Sequence, residues 1–350
     1  MRAPPDVPTL HVILPGDIDD PASPSGGNGY DRRICAGLAA AGWSVREHGV
    51  SGDWPRPSPA ARAALARVLA GLPDGALVLV DGLVASVVPD VLAAHAGRLR
   101  LVALVHLPRE DDEEARALAA VTAVVATSTW TRDALLRRYA LPAERVHVAP
   151  PGVDPAPLVP GTASGSALLC VAAVARHKGH DVLVESLTSL ADRSWTLTCV
   201  GPLHREPEFV DRLRERITVG RLGDRIRLAG PLAGDRLAAA YAAADLLVHP
   251  SRGETYGMVV TEALARGVPV LATAVGGLPD TLGRTTAGDR PGLLVPPDDP
   301  TALATALRRW LDDVALREQL RHAAALRRDT LTDWNGTVAQ ITTALKEASA

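Results

Sequence analysis

The stretch from Asp245 to Leu282, DLLVHPSRGETYGMVVTEALARGVPVLATAVGGLPDTL, constrains the chain more than any other. Its opening apolar run, Leu246 to His249, is closed by Pro250 and has the length and composition of a buried strand. A turn carrying Gly253, Glu254 and Gly257 follows. Met258 to Ala265 then reads as a helix stopped by Gly267 and Pro269, and Val270 to Thr273 as the next strand. A strand, loop, helix, strand unit belongs to an open α/β sheet, where ligands bind at the carboxyl ends of strands beside helix starts. Unpaired N–H groups and the helix dipole there favour an anion, most often a phosphate.

Two carboxylates flank that expected anion site. Glu254 lies in the turn, and Glu262 lies one helical turn beyond Met258. Helical side chains lean toward the N-terminus, so Glu262 points at the mouth that Glu254 lines. Acceptors on both sides of a phosphate cradle suit a ligand with hydroxyls on both sides of a diphosphate, as in a sugar nucleotide. The plainer reading makes Glu254 a complement to the dipole and Glu262 an exposed helix former.

The whole string resembles the donor-binding signature of retaining GT-B glycosyltransferases of family 4, in which two glutamates are separated by seven residues. Here they are Glu254 and Glu262 around TYGMVVT, and the following ALARGVPVLATAVGGLPD also fits. The resemblance implies that Glu254 bonds the donor sugar's hydroxyls and Glu262 the ribose. It implies backbone contacts from Tyr256, Gly257, Met258 and Val259 to sugar and diphosphate. The implied fold is α/β, with two Rossmann-like parallel-sheet domains facing a cleft and a C-terminal helix crossing back to the first.

Length and composition agree with that expectation. A chain of 350 residues accommodates two cores. Hydrophobic residues make up 47% and charged residues 22%, an ordinary globular balance. With a net charge of −3 and no basic run, nucleic acid is not an expected partner. Cys35, Cys170 and Cys199 show neither CxxC spacing nor a disulfide framework, so buried packing roles and a reducing compartment are expected. The apolar run near the N-terminus is too short for a secretion signal, and no stretch approaches about 20 uninterrupted apolar residues. The expected location is cytoplasmic, without stable membrane association. Of 37 basic residues only Lys178 and Lys346 are lysines. A lysine in a strand-to-helix turn therefore stands out.

In the first half, Leu10 to Leu14 reads as a strand, followed by a long loop and a helix from about Asp31 to Ala41. The Gly26-Gly27 pair ahead of that helix admits phosphate oxygens close to the backbone, although most such pairs are only turns. In the family resembled, a Gly-rich loop here closes on the donor diphosphate, a role carried to Gly26 and Gly27. Further strands are expected at Trp43–Val50, Ala76–Val80, Leu99–Val105 and Val121–Ala126, with a helix at Pro59–Leu72 whose Arg62 and Arg67 make a solvated face. His106 ends LRLVALVH. A lone histidine there is usually structural, but the family carries an active-site histidine at a corresponding strand end. In PREDDEEARALAA the acidic first turn suits a helix dipole. A sharper reading makes it an acidic rim for a cationic acceptor. Ser128 or Thr129 caps the next helix.

Pro150 to Asp154 marks a boundary before a Pro/Gly/Ser-rich linker. The domains are expected at residues 1–155, 156–333 and, for the returning helix, 334–350. The second domain opens with a strand at Ala167–Ala175, and here the chain departs from its relatives. Ala172-Ala173 stands where the family has Gly-Arg, while Lys178-Gly179 remains. In the family both cations stabilise the leaving diphosphate. Lys178 carries over directly, and Arg176 is the expected substitute for the arginine because a guanidinium pairs bidentately with phosphate. Further strands are expected at Trp195–Val200 and Arg225–Leu228. Pro231 and Leu232 resemble the family's segment against the nucleotide base. Helices are expected at Pro300–Trp310, Ala315–Arg327 and Trp334–Leu345.

The expected activity is transfer of a sugar from a nucleoside diphosphate, with uridine the family-level nucleotide, to a small soluble acceptor with retention of configuration. His106, Lys178, Arg176 and Glu254 are the expected catalytic group. No Asp-x-Asp motif lies near the site, so protein cations take the place of a metal, and no separate cofactor is expected. Competing readings are a catalytically inactive sugar-nucleotide-binding module and a GT-B relative with other chemistry.

Overall fold

The computed structural model describes residues 7–20 and 25–349. Residues 1–6, part of the stretch read for a secretion signal, residues 21–24 of the first loop, and residue 350 lie outside the described residues. Two compact units emerge, one from residues 7–20, 25–152 and 332–349, the other from residues 153–331.

The first unit runs β1 (Thr9–Pro15), α1 (Gly26–Ala40), β2 (Ser44–Val50), α2 (Pro59–Ala70), β3 (Leu77–Asp81), α3 (Gly82–Ala85), α4 (Pro89–His95), β4 (Arg100–Val105), α5 (Asp112–Ala120), β5 (Ala123–Ala126), α6 (Thr129–Arg138) and β6 (Val146–Val148). Its sheet has the order β2-β1-β3-β4-β5-β6, and every pairing is parallel. Parallel strands are covered on both faces, so β3 and β5 are buried along their whole length.

The second unit runs β7 (Ala167–Val171), α7 (His180–Thr188), β8 (Thr196–Val200), α8 (Pro207–Val219), β9 (Ile226–Gly230), α9 (Gly234–Ala242), β10 (Leu246–His249), α10 (Met258–Leu264), β11 (Val270–Thr273), α11 (Leu278–Leu282), β12 (Gly292–Val295), α12 (Pro300–Asp312) and α13 (Val314–Arg328). Its sheet, also parallel, has the order β12-β11-β10-β7-β8-β9. Asp245, buried, fastens the entry to β10. Its carboxylate accepts from the N–H of Thr162 at 2.5 Å and of Ala167 at 2.9 Å, and from Arg321 at 2.9 Å.

The last helix, α14 (Trp334–Ser349), packs on the first unit. It buries Val338, Ile341, Ala344, Leu345 and Ala348 in the cluster that also holds Leu10, Val12, Ile34 and Leu38. Full burial of Ile341 and Leu345 contributes about 1.5–3 kcal/mol each. The close approach needs Gly37 of α1, where an added Cβ would lie 2.4 Å from Val338. At the point of return, the Thr337 hydroxyl donates to the Pro150 carbonyl at 2.8 Å.

Two expectations change. Helix α1 starts at Gly26, five residues ahead of Asp31, so Gly26 and Gly27 form its first turn and belong to no loop. Two glycines cost roughly 1 kcal/mol each in a helix. The Ser25 side chain capping Asn28 at 3.1 Å, with burial of Tyr30, Ile34 and Leu38, outweighs that cost. The strand at 167 stops at Val171, because Ala172 to Ala175 leave the ladder before the 3₁₀ turn Arg176–Lys178. On α5, three of the acidic residues are engaged internally. Glu114 is buried, accepting from Ser86 at 2.9 Å, Tyr139 at 2.7 Å and the Arg109 N–H at 2.8 Å. Asp111 caps α5 and pairs with Arg109 at 2.6 Å, and Glu113 pairs with Arg62 at 3.3 Å. Asp112, in the first turn, stays exposed. The three cysteines are free and buried.

Candidate active site

In a parallel sheet all carboxyl ends share one edge, and ligand sites form where the strand order reverses. In the second unit the reversal falls between β7 and β10, which are neighbours although three strands apart in the chain. The segment after β7 carries Lys178 and the turn after β10 carries Glu254. Their side chains meet, with Lys178 Nζ 2.7 Å from Glu254 Oε2. His249, buried at the end of β10, adds a hydrogen bond to the same oxygen at 3.1 Å. The Ser251 hydroxyl lies 3.2 Å from His249 Nε2 and 3.5 Å from Glu254 Oε2. Burial opposes ionisation of Glu254, but the His249 hydrogen bond and the Lys178 charge outweigh it and hold the carboxyl at about 2.

Two glycines permit this meeting. Gly179 has φ +70°, and a Cβ on it would lie 2.0 Å from the Pro250 carbonyl, so only glycine lets the Lys178 turn rest on the end of β10. Gly276 has φ +53°, and a Cβ there would lie 1.8 Å from the Glu254 carbonyl, which accepts the Gly277 N–H at 2.9 Å. The Gly-Gly of the signature thus clamps the glutamate turn. Arg252 completes the clamp. It binds Asp181 through two 3.0 Å bonds and Asp298 at 2.5 Å, and donates from its backbone to His177 at 2.8 Å.

Glu262 sits in α10, half-buried. Tyr241 of α9, fully buried, donates its hydroxyl to Glu262 Oε2 at 2.7 Å. Burial pushes the Glu262 carboxyl up, against the Tyr241 bond and the nearby Arg266 charge. Arg266 also lies over the Tyr241 ring at 4.7 Å. Gly257 caps α10 with φ +87°, where a Cβ would meet Leu278 at 2.6 Å. Tyr256, Met258 and Val259 are half-buried alongside. Burial raises the Tyr256 hydroxyl to about 12. Pro231 and Leu232 follow β9, the first exposed and the second packed on the core that holds Tyr241.

Arg176 is placed differently from the expectation. Its guanidinium is largely exposed, 3.5 Å from Glu206 and 6.0 Å from the Phe209 ring. It is therefore engaged with α8, while Lys178 alone of the two pairs with Glu254. The reason is local: Arg176 opens the 3₁₀ turn, and its own N–H bonds Glu206 at 3.3 Å.

In the first unit the reversal falls between β1 and β3, and His106 follows the adjacent β4. His106 Nε2 lies 2.8 Å from Asp31 of α1 and 3.4 Å from Asp81 at the end of β3. Tyr30 meets its ring edge-on with centroids 5.2 Å apart. Burial disfavours the charged imidazole, but the two carboxylates outweigh it and hold His106 above its ordinary value. Burial raises Asp31 in turn. Gly27 faces the same ring, with room for a Cβ at an ordinary 3.4 Å from His106 Cδ2. The three side chains converge closely enough for a small cation, within 4.8 Å. The direct His106–Asp31 hydrogen bond makes them an ion-paired cluster, and we assign no metal to it. Asp31, Asp81, Tyr241, His249 and Arg252 were not expected from the sequence. Only His249, five residues before Glu254 at a strand end, carried a readable signal.

Comparison with known proteins shows the family. Residues 165–313 match the model described as glycosyl transferases group 1, and residues 51–157 that described as Glycosyltransferase Family 4. D-inositol 3-phosphate glycosyltransferase 1 of Catenulispora acidiphila is 32% identical over 287 residues, covering 75% of this chain and 67% of that protein. The chain belongs to glycosyltransferase family 4. Mannosylfructose-phosphate synthase of Agrobacterium fabrum is 30% identical over 236 residues, covering 62% of this chain and 51% of that protein. Matched stretches thus span from about half to two thirds of these relatives' own length. Among solved structures, sucrose-phosphate synthase from Thermosynechococcus elongatus superposes with a TM-score of 0.79 at 24% identity, covering 97% of this chain and 98% of that one. Anabaena HepE, crystallised with UDP and glucose, gives 0.74 at 19% identity, covering 97% and 99%. The fold of this glycosyltransferase is GT-B.

Proposed function

We propose that this family 4 glycosyltransferase moves a hexose from a nucleoside diphosphate, most simply UDP, to a hydroxyl of a small soluble acceptor. The supporting observation is the 2.7 Å pairing of Lys178 with Glu254 at the strand reversal of the second unit. Cleaving the bond from the anomeric carbon to the diphosphate leaves negative charge on phosphate oxygen. Lys178 supplies a fixed cation for that charge as it develops, without a metal. Its partners approach Glu254 at Oε2, so Oε1 is the atom we assign to the sugar hydroxyls. A carboxyl held at about 2 is ionised at any working pH, so Glu254 positions and does not donate a proton. Glu262, steered by Tyr241, takes the ribose. Tyr256 to Val259, with Gly26 and Gly27, are assigned to the sugar and diphosphate, and Pro231 and Leu232 to the base. We assign retention of configuration, with the acceptor entering on the leaving-group face and a diphosphate oxygen taking its proton.

Arg176 is not assigned to the diphosphate, given its engagement with Glu206. The inactive-module alternative had the missing arginine as its only support, and the complete Lys178, His249 and Glu254 cluster weighs against it. Among the described residues no helix is long and apolar enough to cross a membrane. The test is donor turnover. Release of nucleoside diphosphate from UDP-hexose should rise with added acceptor pools and be slowed by about 10²–10³ in Lys178→Ala. Binding without acceptor-dependent turnover would leave only the module reading.

A further inference from the structure

Asp31 sits in α1, its side chain 2% exposed, with its carboxylate on His106 Nε2. A buried ion pair is weak evidence of stability, because apolar residues of similar size often serve as well. A second buried carboxylate, Asp81, faces the same nitrogen, and its other oxygen accepts the Leu83 N–H at 2.8 Å. Two elements, α1 and the end of β3, thus aim carboxylates at one ring atom on the segment after β4. Tyr30 holds the ring from its edge. This over-determination leaves the imidazole one orientation, in which Nε2–H is given to carboxylates and Nδ1 is the remaining polar edge. About a fifth of the His106 side chain is exposed.

We infer that Asp31 is a positioning residue that locks His106 as an imidazolium, so that Nδ1–H is a standing hydrogen-bond donor to an oxygen of the transferred sugar. The assignment of that oxygen rests on the proposed function, while the lock itself does not. The first turn of α1 passes along the His106 ring at Gly27 on the way to Asp31. The titratable groups facing His106 among the described residues are Asp31, Asp81 and Tyr30. Both carboxylates favour the charged ring, and its burial opposes them.

The sign follows directly. Activity that needs charged His106 is lost as pH rises through its folded pKa, and removing the Asp31 charge brings that loss to lower pH. The experiment is NMR titration of the His106 imidazole in wild type and Asp31→Asn, alongside pH profiles of kcat. Asparagine keeps an acceptor for Nε2–H, so the fold should survive. In Asp31→Asn the imidazole should titrate close to the ordinary value of about 6.5. The alkaline limb of kcat should fall with it, and kcat at pH 8 should drop roughly tenfold or more. In His106→Gln that limb should vanish, and Asp31→Asn added to it should cost nothing further. Asp81→Asn, touching the same nitrogen at 3.4 Å, provides a second route and should give a smaller downward move. An unchanged His106 titration in both variants, or losses from Asp31→Asn and His106→Gln that add, would overturn the inference. The titration needs no turnover, so failure of the transferase reading would leave it standing.

Discussion

Lys178 and Glu254, 76 residues apart in the chain, share a hydrogen bond of 2.7 Å in which the lysine's charge meets a carboxylate on the neighbouring strand's exit turn. That contact joins the two segments that flank the strand reversal. Replacing Lys178 by alanine should lower kcat/KM by about 10²–10³, the usual cost of losing one charge-stabilising group, with a far smaller change in Tm. Steady-state kinetics with melting curves check this.

Glu254 should mark acid stability. Its folded carboxyl lies at about 2 against an ordinary 4.5, a depressed value. The stability it contributes is therefore full above pH 4.5 and lost as pH falls toward 2. The contribution amounts to about 3 kcal/mol at most. Glu254→Gln should be less stable than wild type at pH 6, and the two should converge near pH 2. Denaturant melts across that range provide the measurement.

Gly179→Ala should be damaging although no ligand contact is assigned to it. Its φ of +70° strains any side chain, and the Cβ would press on the Pro250 carbonyl at 2.0 Å. We expect a loss of more than about 1 kcal/mol in unfolding free energy, together with lost activity as Lys178 is displaced. By contrast, Gly27→Ala should leave stability nearly unchanged, so any fall in donor affinity there would report on the ligand itself.

These contrasts show what could be read from the chain. Strands β10 and β11 were legible to the residue because buried parallel strands are short apolar runs bounded by Pro and Gly. The returning helix α14 was implied by the family resemblance, its start at Trp334 as expected and its end four residues beyond Leu345. Helix α1 was misjudged at its start, because glycine's poor propensity argued for a loop while burial of Tyr30 and Ile34 decided for a helix. The partners of His106 and Glu262 were illegible for a different reason. Asp31, Asp81 and Tyr241 sit in ordinary helix and strand patterns, and only the order of strands in each sheet brings them to their sites. The pairing of Arg176 with Glu206 was not legible, because it depends on how the 3₁₀ turn meets the start of α8.

Tyr241→Phe separates the Glu262 carboxylate from its support. The hydroxyl is the donor to Glu262 Oε2 at 2.7 Å, so its removal should push the Glu262 carboxyl further up and loosen its aim. A fivefold to fiftyfold loss of nucleotide affinity, about 1–2.3 kcal/mol, is expected with little change in kcat at saturating donor. Donor titration of the variant, with kinetics in parallel, tests it.

The most direct measurement is calorimetric titration of UDP and UDP-hexoses into wild type, Lys178→Ala and Glu262→Ala. Wild type should bind the UDP-hexose, with each variant weakened at least about tenfold, or 1.4 kcal/mol. Glu262→Ala should weaken UDP as well, since its assigned contact is the ribose. Equal affinities in all three proteins would contradict the assignment of the second unit's strand reversal as the donor site.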